Sequence, residues 1–231
     1  MSQAIQLSQG RFSNWNAVGP ELADATLATL SMVSLATLLT VAIGLPLGVL
    51  LMSTGQGGPL HMSRFHRILG VVLDTGGSLP FLVLLIAAIP LTRRLAGESV
   101  GVLAAIVPLT LAAVPFFARR VERSLGKVDR GLVDAAYAMG GRTRHILVTV
   151  LLREGLSRIV TALALTIVVL LGYSAIAGFV YPEGLGRLAI TYGYSTFRAD
   201  VIAAIVVVFV VLTQLVKVGG DLVARRLEHR R

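Results

Sequence analysis

Long apolar runs separated by short polar stretches make up most of this chain of 231 residues. Runs of about 20 apolar residues are typical of membrane-spanning helices, because each residue adds ~1.5 Å and the hydrocarbon core is ~30 Å thick. The pattern predicts five such helices, at residues 22–51, 68–91, 100–118, 159–180 and 201–218. Backbone polar groups inside lipid must be satisfied within each segment, so we expect a single all-α membrane bundle.

The polar stretches are too short for a separate soluble domain. We expect an extracytoplasmic segment at 1–21, a membrane domain at 22–223 with a basic loop at about 119–158, and a basic cytoplasmic tail at 224–231. Residues 1–20 lack a basic cluster followed by a short apolar core, which argues against a cleaved secretory signal. The first helix is therefore expected to act as an uncleaved anchor.

Composition and charge support a membrane protein and exclude two other classes. Apolar residues form 55% of the chain and charged residues 14%, unlike an ordinary soluble protein. The net charge of +9 does not indicate a nucleic-acid partner, because sixteen of the 21 Lys and Arg fall on one side of the predicted membrane and five on the other. This asymmetry predicts an outer N-terminus, a cytoplasmic loop at 119–158, a cytoplasmic C-terminus and contact with anionic lipid. The absence of cysteine excludes disulfides and thiol chemistry.

A short helix is predicted inside the basic loop. Leu132, Ala136 and Met139 recur at i, i+4 and i+7, which places them on one narrow apolar face. The small side chain of Ala135 lets another surface approach closely, and Gly140 ends the helix without steric penalty. Because such a helix cannot bury its apolar face alone, it favours docking to a soluble partner. The alternative is an ordinary amphipathic turn.

This stretch resembles the E-A-A-x-x-x-G loop of permease subunits of ATP-binding cassette (ABC) importers, with Asp134 in the acidic position and Gly140 in the glycine position. In that family the loop is the coupling helix, which seats in a groove of the ATPase subunit. The resemblance therefore implies an ATPase-coupling site formed by Leu132, Asp134, Ala135, Ala136, Met139 and Gly140.

Further motifs resemble the methionine-importer permeases over residues 23–223. They are Gly-Leu-Pro-Leu-Gly at 44–48, Ser-Leu-Pro-Phe at 78–81, Ile-Val-Pro-Leu-Thr at 106–110 and Gly-Tyr-Ser-Ala-Ile-Ala-Gly at 172–178. The resemblance implies the type I importer permease fold, with five transmembrane helices and a cytoplasmic coupling helix. It also implies a homodimer, two ATPase subunits, an extracytoplasmic substrate-binding protein, and a gate containing Pro80, Tyr173, Ser174 and Ile176.

Several positions depart from the family pattern. Asp134 stands where Glu is preferred, and Asp129 and Arg153 stand where proline is common. Gly77 occupies a place where relatives commonly carry Arg, and Ile176 replaces a methionine that narrows the closed pathway. Arg153 predicts a less fixed start of the fourth helix, and Ile176 predicts a stiffer gate.

The chain carries no apparent catalytic or nucleotide-binding motif. It lacks Gly-x-x-x-x-Gly-Lys-Ser/Thr, so ATP and its Mg²⁺ are expected to bind to partner ATPase subunits. His61 and His66 miss the helical i, i+4 spacing of a metal pair, and His145 and His229 are isolated. We therefore expect no enzyme activity, metal or cofactor in this chain.

Features inside the predicted helices concern packing and coupling. Gly44 and Gly48 form a small-x-x-x-small face suited to close helix contact, and Pro80 predicts a kink in the second helix. Asp74 is the main candidate for an intramembrane charge, although a position near the cytoplasmic interface is the favoured interpretation.

Together these features predict an ABC importer permease in the cytoplasmic (inner) membrane of a bacterium, translocating methionine, L and D, by alternating access. One alternative is the same machine with another amino acid or a small quaternary amine as cargo. A second alternative is an ATP-independent carrier or channel, which the scarcity of intramembrane charge disfavours.

Overall fold

The computed structural model describes residues 15–55, 58, 60, 62–97 and 101–228, and the regular structure in these ranges is helical. Most of the segment expected at 1–21, His61, and residues 229–231 of the expected tail, including His229, lie outside them. The helices are α1 (Trp15–Thr54), α2 (Ser63–Ser78), α3 (Phe81–Ala87), α4 (Ile89–Ala96), α5 (Val102–Leu125), α6 (Arg130–Ala138), α7 (Thr143–Ala177), α8 (Gly184–Ala189) and α9 (Ala199–Glu228). Helix α7 contains a π-helical stretch at Ile146–Leu152, and a π-helical turn at Ile190–Ser195 follows α8.

Helices α1, α5, α7 and α9 are each long and apolar enough to cross a membrane. A fifth span is obtained if the broken pair α2 and α3 counts as one, so the predicted count of five agrees with this broken-span interpretation. The helix predicted over 68–91 with a kink at Pro80 is broken there, and α2 and α3 meet at an angle of 100°. The chain leaves the helix at Leu79, with ψ 133°, because the ring of Pro80 disfavours helical geometry in the preceding residue.

The long helices extend beyond the predicted bounds. Helix α1 begins at Trp15, where Val18 packs against Leu185, Leu188 and Val201, so the predicted boundary at residue 22 is wrong. Burial of an early turn lets tertiary packing extend the helix past the apolar run.

The expected loop at 119–158 is also corrected. Helix α5 continues to Leu125, and α7 begins at Thr143, so only α6 and its short connections lie between them. The helical ends are stabilised by buried Val121 and Ile146. Arg153 follows directly on the π-helical stretch Ile146–Leu152 and begins the regular α-helical part of α7, and the less fixed start of the fourth helix stays a prediction. Likewise α9 continues to Glu228, and residues 224–228 of the expected tail are helical.

The described chain divides into two compact units. The first contains 15–35, Phe81–Leu109 and Leu171–Gln214, and its core includes Val18, Leu185 and Val201. The second contains Ala36–Pro80, Thr110–Leu170 and 215–228, and its core includes Phe117 and Leu151.

Close helix contact at Gly44 and Gly48 is confirmed in the second unit. A Cβ at Gly48 would lie 2.5 Å from Val121 Cβ and 2.6 Å from the Ala118 carbonyl oxygen, and one at Gly44 would lie 3.0 Å from Phe117 Cδ1. Only glycine permits α1 to approach α5 this closely. Gly77 lies near Pro115 of α5, where a Cβ would be 3.6 Å from the proline ring.

Candidate functional site

Helix α6 is defined at both ends by local hydrogen bonds. Asp129, where proline is common, is its N-cap and accepts from the Gly131 amide at 2.9 Å. At the other end the Gly141 amide donates to the Ala136 carbonyl at 3.0 Å. Gly140 has φ +81°, a left-handed geometry that glycine adopts without strain. The predicted helix and its glycine stop are confirmed.

The nine residues of α6 include none that is buried. Val133 is half-buried and packs against the core of the second unit, which anchors the helix. Leu132 and Met139 are 47% and 83% exposed. Large apolar side chains are thus held at the surface by a well-defined helix, which is typical of a protein-docking element.

Four of the predicted coupling residues line one groove. Leu132, Ala135, Ala136 and Met139 face a cavity of about 670 Å³. The opposite wall comes from α7 and the end of α9, and includes Thr149, Val150, Arg153, Glu154, Leu156 and Leu227. The structure therefore brings the predicted apolar face of α6 together with residues that sequence reasoning did not include.

Asp134 lies on a different face of α6. With Arg130 and Val133 it lines a second cavity of about 670 Å³, which also contains His66 and Glu122. Asp134 is exposed, so its carboxylate is accessible at the surface of the described chain. Gly140 is also exposed, and a Cβ there would meet nothing within 4 Å.

An ionic network behind this second cavity was missed by sequence reasoning. Arg119 of α5 donates to both carboxylate oxygens of Asp74 at 2.8 and 2.5 Å, and to Glu122 Oε2 at 2.8 Å. His66 Nδ1 donates to the Leu51 carbonyl at 3.0 Å, while its Nε2 lies 3.8 Å from Glu122 Oε1. The network joins α1, α2 and α5 within one unit. Asp74 and Arg119 are 45 residues apart in the chain, so the sequence offered only their opposite charges as a sign that they pair.

The predicted gate residues occupy several environments. The Tyr173 ring stacks on Phe81, with centroids 4.3 Å apart and an interplanar angle of 6°. Ser174 is buried and donates to the Leu171 carbonyl at 2.7 Å, whereas Ile176 is half-buried. Pro80 is exposed and immediately precedes Phe81 in the chain. The structure thus adds Phe81 as the direct partner of Tyr173.

Helix α8 lies in the connection between α7 and α9. The Leu185 amide donates to Thr29 Oγ1 at 2.9 Å, and a Cβ at Gly186 would lie 2.2 Å from the Ala175 carbonyl oxygen. The following turn is tied to α1 because the Tyr192 hydroxyl donates to Glu21 Oε2 at 2.7 Å. That hydrogen bond raises the pKa of Tyr192 above its ordinary value, since it stabilises the protonated phenol. These contacts pack the glycine-rich residues 184–186 against α1 and α7.

A family model described as "Binding-protein-dependent transport system inner membrane component" matches residues 44–231. The chain belongs to this family, and it is the permease component of an ABC importer in a bacterial inner membrane. The predicted family and fold class are confirmed. Family membership also removes the alternative of an ATP-independent carrier or channel.

Individual relatives are more specific. The chain is 42% identical over 225 residues to the probable D-methionine transport system permease protein MetI of Vibrio cholerae, covering 97% of this chain and 100% of that protein. It is 41% identical over 150 residues to MetI of Escherichia coli, covering 65% of this chain and 69% of the relative.

Solved structures of ABC transporters are also similar to this chain. One described as inward facing conformations of the MetNI methionine ABC transporter matches with a TM-score of 0.89 and 38% identity, covering 91% of this chain and 97% of that chain. The structure of an amino acid ABC transporter, at 22% identity and a TM-score of 0.74, shares the fold.

Proposed function

We propose that this chain translocates methionine, as the L- and the D-enantiomer, across the cytoplasmic membrane by alternating access. The carrying observation is the likeness to a D-methionine permease, which spans 97% of this chain and all of that relative. The four proposed gate residues, Pro80, Tyr173, Ser174 and Ile176, are uncharged. A zwitterionic amino acid is compatible with such a gate, since no fixed charge there would trap it.

The proposed machine contains two copies of this chain, two ATPase subunits and an extracytoplasmic substrate-binding protein. Helix α6 is the ATPase-docking element in this proposal. Its support is the groove lined by Leu132, Ala135, Ala136 and Met139, which an apolar surface of a partner can fill. Asp134 and Gly140 complete the site as an exposed carboxylate and a helix stop.

The contacts of α6 give a physical route for coupling. Val133 packs on the core cluster that contains Val128 and Leu151, so a force on α6 reaches the ends of α5 and α7 directly. The chain itself supplies no chemical step. ATP and Mg²⁺ bind to the partner ATPase subunits, and closure of those subunits moves α6.

The proposed topology has the N-terminus outside and the C-terminus in the cytoplasm. Its support is the Lys and Arg asymmetry along the sequence, because basic loops are retained on the cytoplasmic side. Helix α6 and the end of α9 then face the ATPase side, and α8 faces the binding protein.

The proposed gate is formed by Tyr173, Ser174 and Ile176 of α7, together with Pro80 at the break before α3. Stacking of Tyr173 on Phe81 supports a fixed ring position, and the branched side chain of Ile176 supports closure by shape. Cargo selectivity resides mostly in the external binding protein, since these gate residues offer few polar groups that could recognise an amino acid.

Uptake of labelled methionine into proteoliposomes that contain this chain, its ATPase and its binding protein tests the proposal. We expect ATP-dependent uptake that unlabelled L- and D-methionine compete away. Uptake that unlabelled methionine does not reduce, but that another amino acid or a small quaternary amine does reduce, would contradict methionine as the cargo. That result would leave the importer assignment intact.

A further inference from the structure

A basic cavity of about 580 Å³ lies among α5, α7 and α9 in the second unit. Five of its lining side chains are cationic: Arg120, Arg123, Lys127, Arg158 and Arg225. Only Asp221 and Glu228 supply carboxylates. A concave surface with this excess of positive charge favours an anionic ligand.

Neighbouring contacts hold several of these groups in position. Arg158 Nη1 donates to the Lys127 carbonyl at 3.1 Å, which fixes a cation of α7 beside the end of α5. The Arg120 guanidinium lies 4.3 Å from the centroid of the Phe116 ring. Glu228 accepts from Ser157 Oγ at 3.0 Å, so this carboxylate is held by α7. Pre-positioned guanidinium groups suit a ligand with several acceptor oxygens, such as a phosphate.

Apolar side chains lie in the cavity and on a neighbouring face of α9. Leu165 and Ala162 of α7 are among the residues that line the cavity. On α9, Leu215, Val218 and Leu222 share one helical face and are 64%, 55% and 54% exposed. A cationic site bordered by an apolar helix face matches the two halves of a phospholipid, whereas a soluble anion would use only the cations.

We propose that this cavity binds the phosphate group of an anionic phospholipid of the cytoplasmic leaflet, with its acyl chains along α9. The proposal rests on the proposed topology, which places these helix ends at that leaflet. The site is distinct from the α6 groove, since none of the predicted coupling residues lines it.

Native mass spectrometry of the purified full-length chain with equimolar dioleoyl-phosphatidylglycerol and dioleoyl-phosphatidylcholine tests the site. We expect preferential retention of phosphatidylglycerol. The double variant Arg123→Gln/Lys127→Gln should weaken that retention at least about tenfold, because it removes two of the five cations that line the cavity and can donate charge-assisted hydrogen bonds to the phosphate oxygens. The matched control is Arg64→Gln/Arg67→Gln, which removes the same charge from exposed positions of α2 and should retain the lipid.

A second variant tests the cavity without changing its charge. Thr161→Phe places a ring among the lining residues and should also reduce phosphatidylglycerol retention. Equal retention of the two lipids by the wild type, or equal loss in both double variants, would overturn the proposal. Binding of inorganic phosphate with no phosphatidylglycerol retained, when both are offered at equal concentration, would assign the site to a free anion and overturn lipid occupancy.

The readout separates this proposal from the proposed function. Lipid retention is measured on the permease without ATPase or binding protein, so a negative result leaves methionine transport untouched. Failure of methionine uptake with normal phosphatidylglycerol retention would contradict the cargo and leave the lipid site standing.

Discussion

Helices α6 and α8 are both short connections between long helices, yet they differ in what covers them. Helix α8 has six residues, of which Gly184, Leu185, Gly186 and Leu188 are buried. Helix α6 has nine residues and buries none. The chain therefore buries α8 with its own side chains and backbone, while α6 is formed by caps and one anchor and keeps its apolar face exposed. Substitutions in α8 should thus affect folding, and substitutions on the α6 face should affect assembly.

The largest effect is expected at Gly186. The variant Gly186→Val would bring a branched side chain into the Ala175 backbone, whose carbonyl oxygen lies 2.2 Å from the ideal Cβ position. Because backbone atoms cannot yield as a flexible side chain can, we expect destabilisation of about 3 kcal/mol or more, measured as a loss of thermal stability in detergent. The control Gly172→Ala lies on α7 with nothing within 4 Å of its Cβ, and its melting temperature should not fall. Equal stability of the two variants would contradict the conclusion that α8 is stabilised by close packing within this chain.

The α6 face should show the opposite behaviour. The double variant Leu132→Ser/Met139→Ser removes two exposed apolar side chains, so unfolding stability should change by no more than about 0.5 kcal/mol. Affinity for the ATPase subunit should fall at least about tenfold, since the lost apolar burial is worth more than about 1.4 kcal/mol. Titration of labelled ATPase subunit against the reconstituted permease measures that affinity. The control Val148→Ser alters another exposed apolar position and should bind normally.

How much of this contrast the sequence could predict depends on the range of the interactions. Local signals were sufficient for α6, because the spacing of Leu132, Ala136 and Met139 and the glycine at 140 act within one helix. The true ends of α5 and α7 were missed because hydropathy registers charges such as Arg119 as interruptions. The structure pairs Arg119 with Asp74 and continues the helix.

The sequence also could not predict the long-range contacts of the candidate gate and of α8. Stacking of Phe81 on Tyr173 and the bond from Leu185 to Thr29 join residues far apart in the chain. No sequence periodicity relates such residues. The sequence alone therefore does not distinguish Thr29 from any other small polar residue of a membrane helix. The kink at Pro80 was predictable because proline acts on the adjacent residue, Leu79.

A smaller effect is expected at Thr29, which contributes a single buried hydrogen bond to α8. Thr29→Val removes the acceptor of the Leu185 amide while preserving side-chain shape. Leaving that buried N–H unsatisfied should cost about 1–3 kcal/mol, measured by thermal unfolding. Thr26→Val is the matched control, because the Thr26 hydroxyl donates only to the Leu22 carbonyl of its own helix at 2.7 Å. Equal destabilisation by both substitutions would show that the contact with α8 adds nothing.

The most direct test of α6 as the docking element is single-cysteine labelling, which the cysteine-free sequence permits without background. Met139→Cys and Phe179→Cys introduce thiols at positions 83% and 70% exposed, at the C-cap of α6 and just after α7. With the reconstituted permease, the ATPase subunit should suppress labelling of Met139→Cys by a membrane-impermeant maleimide. Phe179→Cys should label equally with and without it, and from the opposite side of the membrane. Unchanged labelling of Met139→Cys in a complex that hydrolyses ATP and transports would contradict docking through α6.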